Sequence, residues 1–327
     1  MEFHLNYSPA PSLAKIAHAD KVLLIGSCFA ESIGGKLKEN KFTTLVNPNG
    51  ILFNPFSIAT AISSYIKNES NPKPGINNNL YFSFNHHGSF SSASEEELTN
   101  KINSATKEAH LFLKEAKFLI ITFGSAFAYR HVATNQIVAN CHKLPQKDFK
   151  KELLSADVIV LEYNSLIKSL KEFNPKLNII FTVSPVKYLR DGVIENNLSK
   201  AILIQSVHQL LTPNSEFPTT NYSTYFPAYE LVNDDLRDYR FYKEDMAHPN
   251  EQAINYVWEK FSDTYFNEET NKLVERITEI TQASLHRPIK PNASEYLKFK
   301  KVYYDKCLEL EKKHAFLDFS SEKLIYS

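Results

Sequence analysis

Short, almost wholly apolar runs alternate along most of the chain with longer stretches whose apolar residues recur every three or four positions. Residues 21–25 (KVLLI), 118–123 (FLIITF) and 177–183 (LNIIFTV) are of the first kind, as expected of strands buried on both faces of a parallel sheet. The first run leads into a helix that reaches about Glu39. Ser94-Glu95-Glu96-Glu97 reads as a capping box, and Leu98, Ile102, Ala105, Ala109, Phe112 and Ala116 continue at helical spacing. Ile159, Tyr163, Leu166, Leu170 and Phe173 mark a third helix, which Asn174-Pro175 stops, and a fourth runs from about Leu198 to Leu211. Strand and helix in this rhythm predict a three-layer α/β fold on a mostly parallel sheet. After His248-Pro249, Ile254, Val257, Trp258, Phe261 and Tyr265 give one more core helix. Strand signals then stop. From about Asn267 the chain reads as a helical C-terminal extension, broken over 288–291 and restarted by a second capping box at 292–295. Its stripe of Tyr296, Phe299, Tyr303, Cys307 and Leu310 packs on the core or on a partner, so a homo-oligomer stays among the expectations. The expected division is an α/β unit over 1–266 and the extension over 267–327.

Composition narrows the function classes. The chain has 327 residues, 43% hydrophobic and 13% aromatic, enough for a full core without staples. Its 37 basic and 37 acidic residues balance, which gives no electrostatic reason to expect nucleic acid or an anionic membrane. No apolar run is long enough to span a bilayer, and residues 1–12 lack the charged-then-apolar pattern of a signal peptide. Cys28, Cys141 and Cys307 are odd in number and widely spaced, so reduced thiols and a cytoplasmic location are expected. There are only 8 glycines, about a third of ordinary usage, so those retained are candidates for turns and close backbone approaches.

In a parallel sheet the ligand site lies beyond the C-terminal ends of the strands. There the first run gives Gly26-Ser27-Cys28-Phe29-Ala30, a strand-to-helix turn suited to an exposed nucleophile beside backbone donors. A thiol at such a helix start is expected to have a lowered pKa. The plain alternative is a Ser27 helix cap followed by a small buried cysteine. Asp245-Met246-Ala247-His248 offers a carboxylate three residues before an imidazole that it can orient. Backbone amides at Gly50, Gly124 and Ser125 are candidate oxyanion donors. Tyr129-Arg130-His131 reads as a solvated loop or a hold for an anionic group, and Cys307 as core. His86-His87 and Asn140-Cys141-His142 lack chelating spacing, so neither a metal nor a cofactor is expected.

These residues resemble a known family. Gly-Ser-Cys-Phe-Ala after the first strand is the signature of the GSCFA-domain family, related to the SGNH (GDSL-like) hydrolases. Asn47-Pro-Asn-Gly50-Ile, Phe123-Gly-Ser-Ala126, Asn140-Cys-His142, Val183-Ser-Pro-Val186, Ser199-Lys200 and Asp245-x-x-His248-Pro249 follow in family order, over about 20–260. The resemblance implies a flavodoxin-like sheet and acyl-ester chemistry, with Cys28 or Ser27 attacking, His248 as base and Asp245 orienting it. The hydrolase triplet Gly-Asp-Ser is here Gly26-Ser27-Cys28, which puts Cys28 in the nucleophile's place, although a slip of one residue restores Ser27. The usual Gly-x-Asn is Gly124-Ser125-Ala126, so Asn140, His142 or Ser125 would have to supply the missing donor. The implied substrate is the acyl ester of a small molecule or carbohydrate. The runner-up is a binding protein that keeps the fold without the chemistry.

Overall fold

The structure is a computed structural model that describes residues 5–70, 72–212, 222–289 and 293–327. β1 (Val22–Gly26) leads into α1 (Cys28–Glu39), and β2 (Thr44–Val46) into α2 (Pro55–Lys67). A hairpin of β3 (Gly75–Asn77) and β4 (Leu80–Phe82) precedes α3 (Glu95–Glu115) and β5 (Phe118–Phe123). Then come β6 (Phe127–His131), β7 (Gln136–Val138) and β8 (Phe149–Leu153), followed by α4 (Ala156–Phe173), β9 (Asn178–Val183), α5 (Val193–Leu211) and β10 (Ser223–Phe226). The chain ends in α6 (Ala228–Glu230), α7 (Glu251–Tyr265), α8 (Glu268–Ser284), α9 (Ser294–Lys313) and α10 (Ser320–Tyr326).

Five strands form one sheet in the order β10-β9-β5-β1-β2, every pair parallel. Renumbered along the chain, that is the flavodoxin-like order 2-1-3-4-5. The apolar runs are explained by their two-faced burial. Leu23, Ile25, Leu119, Ile121, Ile179 and Phe181 face one layer, built with α2, α4 and α5. Val22, Leu24, Phe118, Ile120 and Ile180 face the other, built with α1 and α7. Alternate residues of a strand point to opposite faces, so a strand covered on both sides must be apolar throughout.

Several local readings change. A second, antiparallel sheet β7-β6-β8 turns Tyr129-Arg130-His131 into a strand rather than a loop. There Arg130 is held by Glu152 at 2.8 and 3.1 Å, which removes it as a hold for an anionic group. α5 begins at Val193, earlier than the pattern suggested, because Val193 and Ile194 are exposed and give no apolar stripe. Ser94 caps α3 as expected, but Glu97 turns its carboxylate to Ser92 instead of closing the box. Asn292 of the second box lies outside the described residues, and α9 starts after Ala293.

The three C-terminal helices build their own apolar cluster around Ile277, Ile280, Cys307, Leu310 and Phe319. They join the α1 side of the sheet through Thr278 to Asn40 at 2.9 Å and Lys41 to Glu322 at 2.7 Å. Cys307 is core, as its stripe predicted. Among the described residues no helix is long and apolar enough to cross a membrane.

Candidate active site

The strand order reverses between β1 and β5, and the crevice at such a reversal is where ligands enter this architecture. Gly26 ends β1 with φ of +137°, and an added Cβ would lie 2.1 Å from the Thr122 carbonyl oxygen. The close approach brings the Ser27 N–H onto the same oxygen at 3.1 Å. At Gly124, beyond the end of β5, an added Cβ would lie 3.2 Å from the Ser27 Cβ. The tips of β1 and β5 are therefore locked together at the turn that carries the candidate nucleophiles.

Ser27 and Cys28 take different roles there. Ser27 is 1% exposed, and its hydroxyl accepts the Phe29 N–H at 3.3 Å as the cap of α1. Cys28 is the first residue of α1 and half-buried. Contrary to the expected lowering, burial pushes its thiol up, and Glu31 adds to that. The N–H groups of Cys28 and Phe29 and the Lys200 ammonium pull the other way but do not win.

Asp245 and His248 form a closed local unit. Asp245 Oδ1 accepts the N–H groups of Ala247 and His248, both at 2.9 Å, while Oδ2 lies 2.6 Å from His248 Nδ1. These bonds, the backbone ones foremost, hold the Asp245 carboxyl down at about 2. Met246 makes the tight turn between them, with φ of +55°. The loop is fastened where β9 ends, since Lys187 N–H donates to the Ala247 carbonyl at 3.0 Å. Both constellations thus stand at the C-terminal rim of one sheet, Cys28 after β1 and His248 over the exit of β9.

The expected oxyanion amides are already engaged. Gly50 N–H donates to Asn47 O at 2.7 Å, and the N–H groups of Gly124 and Ser125 share Phe53 O at 2.9 and 3.0 Å. In this structure each of the three amides serves the fold. Ser125 Oγ accepts Phe127 N–H and lies 3.2 Å from Ser199 Oγ. Asn140 Oδ1 accepts the His142 N–H in a tight turn, and the His142 ring stacks on Phe82 while bonding Ser83 O at 2.8 Å. Neither is brought to Cys28 by any of these bonds. A cleft of about 480 Å³ opens alongside, with Phe53, Asn54, Ser125, Asn140, Cys141 and Tyr188 in its walls. Cys28 and His248 do not line it, but Phe53 and Ser125 join it to the β5 tip.

A further residue of the rim is the lysine of the Ser199-Lys200 block. Lys200 is 1% exposed, with Nζ 2.7 Å from both the Gly124 and Ser184 carbonyls. Burial draws its pKa down to about 7, partly offset by Cys28. A signal existed: Lys200, Leu203, Val207 and Leu210 follow helical spacing, which puts a charge on the buried stripe of α5.

The GSCFA family matches residues 21–261, and the C-terminal domain of GSCFA domain proteins matches 277–325. None of the curated proteins matches the sequence. Among solved structures, a carbohydrate esterase family 3 protein from Talaromyces cellulolyticus is 10% identical over 80% of this chain and 99% of its own, with a TM-score of 0.35. A protein from Parabacteroides merdae described as a GDSL-like lipase is 14% identical over 81% and 100%, at 0.39. An acetyl xylan esterase from Butyrivibrio proteoclasticus is 9% identical over 76% and 64%, at 0.41. At such scores these likenesses say nothing of chemistry.

Proposed function

The chain belongs to the GSCFA family, and from that premise we propose that it is an acyl-ester hydrolase or acyltransferase whose nucleophile is Cys28. The observation that carries the reading is the Asp245–His248 contact of 2.6 Å on a loop fastened to the β9 exit. A carboxylate on Nδ1 fixes the imidazole with Nε2 free to accept a proton. In the reaction, Sγ bonds to the acyl carbon and its proton passes to His248. The carbonyl electron pair moves to oxygen, and the oxyanion faces the Cys28 N–H at the start of α1. The intermediate collapses to a thioester, and His248 returns the proton to the departing alcohol. Water, with His248 again as base, or a second alcohol then takes the acyl group. The substrate class is the acyl ester of a small molecule or carbohydrate.

Cys28 is preferred to Ser27 because Ser27 is buried and its hydroxyl caps α1. The engaged amides of Gly50, Gly124 and Ser125 favour the second reading, a binding protein without turnover. A chromogenic acetyl ester separates them. Hydrolysis by the native chain is expected, with Cys28→Ala and His248→Ala inert. Ser27→Ala should stay active while losing about 0.5–2 kcal/mol of stability with the cap. An inert Ser27→Ala beside an active Cys28→Ala would transfer the role to Ser27, and an inert native chain would leave the binding protein.

A further inference from the structure

We propose that the cleft beside the β5 tip binds an anionic sugar, whose charge Arg190 and Lys143 take. Both cations stand in its walls with Phe53, Tyr129 and Tyr188, and its volume of about 480 Å³ is within the range of small-molecule sites. Arg190 has Cζ 5.9 Å from the centre of the Tyr129 ring, which keeps the guanidinium along that wall. Lys143 is held by a tight turn in which the Leu144 N–H donates to Cys141 O at 3.0 Å. Among the described residues no carboxylate lines the cleft, and neither cation has an ion-pair partner. Asp191, the acid next to Arg190 in the chain, is spent on Lys151. Two cations without a counter-charge favour an anion, and a guanidinium fork suits a carboxylate or phosphate. The rest of the lining suits a sugar. Phe53 is 45% exposed, an apolar ring left open to the C–H face of a pyranose. Asn140 spends Oδ1 on the His142 N–H, which leaves its amide hydrogens for hydroxyl groups, and Gln146 brings a second amide. A wholly apolar ligand would strand these polar groups at a cost. The cleft also adjoins both halves of the candidate active site. Ser125 in its wall follows Gly124, which packs on Ser27. Tyr188 follows Lys187, whose N–H holds the Ala247 carbonyl one residue before His248. The sugar is thereby placed as the alcohol half of the ester, a step that rests on the hydrolase reading, whereas binding in the cleft does not.

Cys141 lines the cleft and is half-buried, so it reports occupancy without any turnover. Alkylation of the full chain by iodoacetamide, resolved by peptide mass, separates Cys141 from Cys28 and Cys307. Glucuronate and glucose 6-phosphate should each slow the labelling of Cys141, and the one that half-protects at the lower concentration identifies the anion as carboxylate or phosphate. Glucose should need about tenfold more. Arg190→Gln, at an exposed position, should raise the half-protecting concentration of the anions about tenfold and leave that of glucose in place. That concentration, unlike the labelling rate, is independent of how reactive the thiol is in each variant. No protection by either anion, equal protection by glucose or by benzoate, or an unchanged value in Arg190→Gln overturns the proposal. Protection in a chain inert toward esters keeps the site and fails the hydrolase reading alone.

Discussion

Asp245 spends both carboxylate oxygens within three residues, one on two backbone N–H groups and the other on His248 Nδ1. Its folded pKa of about 2 lies below the ordinary 3.8, so what it adds to stability is present above 3.8 and lost as pH falls toward 2. Asp245→Asn separates the two duties. An asparagine Oδ1 still accepts the backbone bonds, but its amide meets Nδ1 as a donor and forces the imidazole into the other tautomer. Turnover should fall by as much as about 10⁴, out of proportion to the small loss of melting temperature that goes with the carboxylate's charge. An undiminished rate would reduce Asp245 to a loop cap. This pair was legible in the sequence because its spacing closes within one turn of chain. The fate of the Gly50, Gly124 and Ser125 amides was not, because it depends on carbonyls such as Phe53 O that arrive from elsewhere in the fold.

At the level of elements, the site exists because two parallel strands end side by side. The β1–β5 register runs from Val22 opposite Phe118 to Gly26 opposite Thr122, and the turn begins at the last pair. Gly26→Ala would drive a Cβ into the Thr122 carbonyl and demand φ of +137° from an alanine. A loss of at least about 1 kcal/mol is expected, read from urea unfolding, with the Cys28 turn displaced. Native stability in that variant would mean the strand tips are not locked as described. The main strands were legible because burial on both faces writes them as continuous apolar runs. The β7-β6-β8 sheet was not, since only Ala128, Val138 and Phe149 are buried across its thirteen residues and no alternation emerges. α5 was recovered from its buried half alone, and its exposed first turn stayed silent.

Across the whole molecule, acid sensitivity follows from where the histidines are packed rather than from net charge, which is zero. His18, wedged between Phe42 and Phe316, ties the C-terminal helices to the sheet, and burial lowers its pKa. His142, stacked on Phe82, is lowered for the same reason. His86 is 6% exposed, with Nδ1 2.9 Å from Ser83 Oγ, and burial takes it from 6.5 to about 4. In that interval the unfolded chain binds the His86 proton and the folded chain does not, so unfolding gains as pH falls. The native state should lose up to about 1.4 kcal/mol per pH unit for each such histidine that is fully neutral when folded. For His86 the loss begins near 6.5 and levels off below about 4, where the folded chain is protonated too. Urea unfolding between pH 7 and 4.5 should therefore give a stability that declines with acid, and His86→Gln should flatten the decline by removing one proton site from the unfolded chain. An identical slope in the two proteins would mean that His86 takes up its proton without unfolding.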